Sequence, residues 1–112
     1  MPNKIERRTG VTDLTLASTA ASTPLIPYSA VAGGMVFFKS VLSGSPTKVV
    51  WYAQASDKNG QPLPVRSAVG SVVETPVVAG NAYQIPDECF AAPFLKAVLD
   101  NGTAEAYVSV KG

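Results

Sequence analysis

The sequence predicts an all-β domain, a small β-sandwich or jelly roll. Three observations carry this: short apolar runs that alternate or are rich in β-branched and aromatic residues, Gly- and Pro-containing breaks at close spacing between them, and almost no stretch with helical periodicity. The runs amount to about seven to nine short strands. A chain of 112 residues is the size of one domain and can bury a core without disulfides or metals. The expected organisation is a flexible arm over residues 1–10 followed by a single β domain over 11–112.

In chain order, residues 1–10 are polar and end at Gly10. From Val11 the pattern alternates, with Thr12, Leu14 and Leu16 on one face and Val11, Asp13 and Thr15 on the other, as in a half-buried strand. The small, polar stretch 17–23 reads as loop or irregular edge. Leu25 and Ile26 lie between Pro24 and Pro27, which restricts them to an edge. Gly33-Gly34 reads as a turn, and Met35 to Leu42 as a strand bounded by Ser43-Gly44-Ser45-Pro46. Lys48 to Ala55 alternates again, and a hairpin between these two strands is the simplest pairing.

Asp57-Lys58-Asn59-Gly60 carries a strong turn signal, and Pro62 and Pro64 confine residues 61–66 to an edge. Val69 to Val78 reads as strand broken by Pro76, Gly80-Asn81 as a turn, and Ala82 to Ile85 as a short extension. One short helix is expected near residues 86–92, with Asp87 and Glu88 in its first turn and Pro93 ending it. The last two runs, 94–99 and 104–111, flank Asp100-Asn101-Gly102 and are expected to form a hairpin. In the second run Ala104, Ala106, Val108 and Val110 share one face, and Glu105, Tyr107, Ser109 and Lys111 the other, so one face should be wet.

Composition narrows the function classes. The chain is 46% hydrophobic and only 15% charged, well below the roughly 25% usual in globular proteins. Neutral exposed surface favours association. A net charge of +1 supplies no broad positive field, so nucleic acid is not an expected partner. Residues 14–38 lack charge but are broken by Pro24, Pro27 and Gly33-Gly34 and are loaded with Ser and Thr. Neither membrane insertion nor a signal peptide fits that pattern, and the expected location is soluble, in a virion or the cytoplasm.

With no His in the chain, a Ser-His-Asp triad and His-containing zinc sites are ruled out. The lone Cys89 has no His to activate it and reads as a small buried hydrophobe. No pair among the acidic residues is singled out for glycosidase chemistry. The Asp100 and Asp57 turns each offer too few oxygens for calcium. The expectation is a non-enzymatic protein with no cofactor. Of the aromatic residues, Trp51, Tyr52 and Tyr107 are the candidates for partner or sugar contact. Trp51 sits beside Val49 and Ala53 on the apolar alternation and is expected in the core, whereas Tyr52 and Tyr107 fall on more polar faces.

Residues 80–112 carry a resemblance. Tyr83-Gln84-Ile85-Pro86-Asp87-Glu88, Phe90, Phe94-Leu95-Lys96-Ala97-Val98, and Gly102-Thr103 leading into Val108-Ser109-Val110-Lys111-Gly112 resemble the end of small phage- or prophage-encoded β proteins found among virion structural genes. Gly33-Gly34-Met35-Val36-Phe37 and Val50-Trp51-Tyr52-Ala53 resemble earlier strands of the same proteins. The resemblance implies a virion-associated structural or assembly module that acts as a homo-oligomer or with other virion proteins, without a cofactor. It assigns a role to no residue. The alternative is a carbohydrate-binding β-sandwich that presents an aromatic ring to a glycan.

Overall fold

In the computed structural model, residues 9–29, 33–56 and 60–111 are described. They form strands β1 (Thr9–Leu16), β2 (Ile26–Pro27), β3 (Gly33–Ser43), β4 (Lys48–Gln54), β5 (Leu63–Pro64), β6 (Glu74–Pro76), β7 (Ala82–Gln84), β8 (Phe94–Leu99) and β9 (Thr103–Lys111). The strands make two antiparallel sheets. One has the order β1-β9-β3-β7, and the other β2-β8-β4-β5 with β6 also on β4. Their inner faces share one core, in which Leu14, Leu16, Val36 and Val108 of the first sheet meet Val49, Trp51, Leu95 and Leu99 of the second. The expected β-sandwich is therefore present.

β5 and β6 behave as one interrupted row. β5 pairs Tyr52 and Ala53 of β4, and β6 pairs Lys48 to Val50. Between them Val65 N–H donates to Trp51 O (2.9 Å) and Trp51 N–H donates to Val73 O (3.1 Å), and the chain in between leaves the sheet as a small hairpin with Arg66 opposite Val72. With that row counted as one strand, the pairing is nested: β1 with β9, β2 with β8, β3 with β7, and β4 with the β5–β6 row.

The connections differ from the expected ones. β3 and β4 do not form a hairpin, and neither do β8 and β9: each pair is split between the two sheets. The reason lies in contacts between the two connectors. The Asp100 carboxylate accepts from Thr47 N–H (2.9 Å), Lys48 N–H (3.3 Å) and the Thr47 hydroxyl. Asn101 Oδ1 accepts from Ser45 N–H (2.9 Å), and the Ser43 and Thr103 hydroxyls are 2.7 Å apart. Asp100-Asn101-Gly102 is thus a tight reversal, as its residue types dictate, but it turns the chain from one sheet to the other. Gly102 has φ +70°, and a Cβ there would lie 2.0 Å from Ser43 O, so the crossing requires glycine twice over.

Other differences are local. The helix near 86–92 contracts to one 3₁₀ turn, Asp87–Cys89, because Pro86 and Pro93 leave too little chain for a continuing α-helical ladder. Gly33 and Gly34 belong to β3 rather than to a turn, and a Cβ on Gly34 would sit 2.7 Å from Ser109 O across the ladder. Within the run Val69 to Val78 the strand is confined to Glu74–Pro76, since a reversal with Gly70 at φ +90° occupies its start. β1 begins at Thr9, two residues inside the expected arm, whose residues 1–8 lie outside the described residues, as do Asp57, Lys58 and Asn59 of the second turn. The 17–23 stretch is a built loop: buried Thr23 donates its hydroxyl toward Ala17 O and Thr19 O, and Lys96 Nζ donates to Ala20 O (2.7 Å). Among the described residues no helix is long and apolar enough to cross a membrane.

Candidate contact surface

The three aromatic candidates do not come together. Trp51 is fully buried in the core, and its indole Nε1–H donates to Thr75 Oγ1 (2.9 Å), a hydroxyl that is itself buried on β6. A buried indole needs such an acceptor. Trp51 is therefore unavailable to a partner or sugar and holds the β5–β6 row against β4 instead. Tyr52, the next residue, points to the opposite face, half-buried, with Lys96 and Pro64 beside it in register. Tyr107 lies on the outer face of the other sheet, also half-buried.

Around Tyr107 the outer face of the first sheet brings several further polar and apolar side chains together. A row runs across it from Asp13 through Tyr107 and Phe37 to Ala82, and a second joins Ser109, Met35 and Gln84. Met35 and Phe37 are 37% and 39% exposed, while their neighbours Val36 and Phe38 are buried. A bulge between Phe38 and Ser40 leaves Lys39 extra in β3, and its ammonium sits 4.5 Å from the Tyr107 ring centroid and 3.7 Å from Glu105 Oε2. Tyr107 first, then Asp13 and Glu105, hold Lys39 protonated above the usual lysine range. Asp13 and Glu105 thus serve a cation on an open sheet face, with one side of the Tyr107 ring already covered.

Met35 and Phe37 do not stand out in the sequence, because the apolar run Met35-Val36-Phe37-Phe38 shows no polar alternation to mark an outer face. The available signal was the adjacency of Phe37 and Phe38: neighbours in a strand face opposite ways, so a sheet with one wet face must expose one of them. The alternation of 104–111 needs no such repair. Ala104, Ala106, Val108 and Val110 are buried, and the expected polar residues line the outer face.

Cys89, Asp100 and Glu74 are structurally engaged. Burial, followed by the Glu88 charge, pushes the Cys89 thiol up to about 12, so it stays protonated inside the core. The Asp100 carboxyl is held at about 2, below its ordinary 3.8, chiefly by the Thr47 hydroxyl and then by the Thr47 amide. Glu74 on β6 pairs with Lys48 on β4 at 2.7 Å. Among the described residues, no group of three or more Cys, Asp or Glu side chains is placed to hold a metal ion. Comparison with family models, with curated proteins and with solved structures gives no match.

Proposed function

We propose that this chain is a non-enzymatic jelly-roll module of a larger assembly, virion-associated, acting through contacts with copies of itself or with other virion proteins. The observation that carries the reading is the nested strand order. First pairs with last and each successive pair lies inside the one before, and the folded-over ribbon rolls so that β9 also pairs β3 and β8 also pairs β4. Eight-stranded jelly rolls, an architecture used by viral capsid domains and lectins, are wound on a nested plan of this kind, which supports the reading. The step from architecture to role is an analogy of fold. Two further features support it: the low charge of the chain, and an outer sheet face on which Met35 and Phe37 stand exposed beside Tyr107.

A glycan-binding module is the second reading, favoured by the neighbouring rings of Phe37 and Tyr107 on one open face. Two measurements separate the readings. Mass spectrometry of particles purified from a strain carrying the gene should find the chain at a fixed ratio to the capsid or tail proteins. Its absence from particles, with binding on a glycan array abolished by Tyr107→Ala, would replace the assembly reading with the sugar-binding one.

A further inference from the structure

A sandwich must protect the unpaired backbone groups along its sheet edges, and of the four edges formed by the described residues three are visibly protected. β2 is two residues long and contains Pro27, with Pro24 just upstream. The β5–β6 row is split, and its pieces end in Pro64 and Pro76. β7 is three residues long, and the chain leaves it through Pro86. Short strands and prolines are the usual means of stopping one edge from adding to another.

β1 has neither. It is eight residues long, Thr-Gly-Val-Thr-Asp-Leu-Thr-Leu, without Pro, Lys or Arg. It follows β9 without a register shift from Thr9 opposite Lys111 to Leu16 opposite Ala104. Among the described residues, β9 is its only ladder neighbour. Thr12 adds a second observation. It shares the inward alternation with Leu14 and Leu16 and stands opposite buried Val108, yet it is exposed, so the inner row runs out to an open edge.

We propose that β1 is the site at which a second copy of this chain adds, strand to strand and antiparallel, about a two-fold axis through Thr12. A two-fold contact requires a self-complementary edge. Residues facing each other across an antiparallel pair lie on the same side of the sheet, so the axis must pass through a residue position. At Asp13 it would set two carboxylates face to face, and at Leu14 it would leave Thr9, Gly10 and Val11 without partners. At Thr12 it sets Thr9 against Thr15, Gly10 against Leu14 and Val11 against Asp13 of the second copy, with no like charges opposed and only Leu16 left beyond the pairing. The two first sheets then run on as one. This inference rests on the assembly reading and names the surface through which that assembly begins.

Sedimentation equilibrium of the full chain, from micromolar to millimolar, tests it with two variants. The wild-type chain is expected to show a reversible monomer–dimer equilibrium. Thr12→Lys, which places two ammonium groups against each other on the axis, should weaken the dimer at least tenfold, with Tm unchanged when both chains are measured dilute enough to be monomeric. Thr12→Cys should oxidise to a covalent dimer, because buried Cys89 does not compete, while Ser109→Cys, one strand in from the edge, should not. If Thr12→Lys fails to fold, the Thr12→Cys cross-link decides. A wild-type chain that stays monomeric throughout overturns the β1 pairing and the self-assembly half of the proposed function together. A wild-type chain that associates, with Thr12→Lys equally associated and Thr12→Cys not cross-linked, overturns the β1 pairing alone and moves the contact to another face.

Discussion

Replacing Thr75 by valine keeps the shape of a buried side chain and removes the acceptor for Trp51. The indole Nε1–H, 2.9 Å from Thr75 Oγ1, would then be an unpaired donor on a residue with no exposed surface. Leaving a buried donor unsatisfied costs about 1–3 kcal/mol. The added methyl recovers a fraction of that, on the scale of about 0.8 kcal/mol per buried carbon, so the net loss should be about 1–2 kcal/mol. With a urea m-value of about 1–3 kcal/mol/M for a small domain, the midpoint should fall by about 1 M at unchanged slope. Trp51 is the only tryptophan, so its fluorescence reports the transition directly. In a Trp51→Phe background, followed by circular dichroism, the same Thr75→Val change should cost about 1 kcal/mol less. Equal costs in the two backgrounds would refute the claim that this bond ties the β5–β6 row to β4.

Three more predictions concern individual groups. Phe37→Ser on the outer face should cost only about 1 kcal/mol, whereas Phe38→Ala in the core should cost about 3–5 kcal/mol, both read from urea midpoints. The Asp100 carboxyl sits at about 2 in the fold against an ordinary 3.8. A depressed folded-state pKa means that its stabilising contribution is complete above about pH 5 and drains away as pH falls from about 4 to 2. Asp100→Asn should therefore flatten that part of the stability curve, and a parallel acid limb in the variant would contradict the assignment. Cys89, with its thiol pushed up to about 12, should react with a maleimide at pH 8 about a thousandfold more slowly in the folded chain than in urea. Comparable rates would place it outside the core.

Features set by local chemistry were legible in the sequence, and features set by distant contacts were not. The wet and dry faces of β9, the burial of Trp51 and Cys89, and the confinement of Pro27 and Pro64 to edges all follow from alternation, hydrophobicity and the missing proline N–H. Strand pairing fared worse. Asp100-Asn101-Gly102 and Ser43-Gly44-Ser45-Pro46 look like hairpin turns, because a tight reversal uses the same residues whether it joins strands of one sheet or of two. What decides is the grip of Asp100 on Thr47 and Lys48, more than fifty positions away in the chain. The contact surface was half legible for the same reason. Tyr107 was visible by alternation, but Phe37 and Met35 join it only because β3 lies beside β9, and that pairing is non-local.

The role proposed for the chain depends on its winding, and cross-strand NOEs in the folded full-length protein measure that winding directly. Close backbone contacts of Thr12 with Val108, Val108 with Val36, and Trp51 with Ala97 are the pattern expected. A ladder joining Leu99 to Ala104 and Val98 to Glu105 would make the last two strands a hairpin and contradict the account.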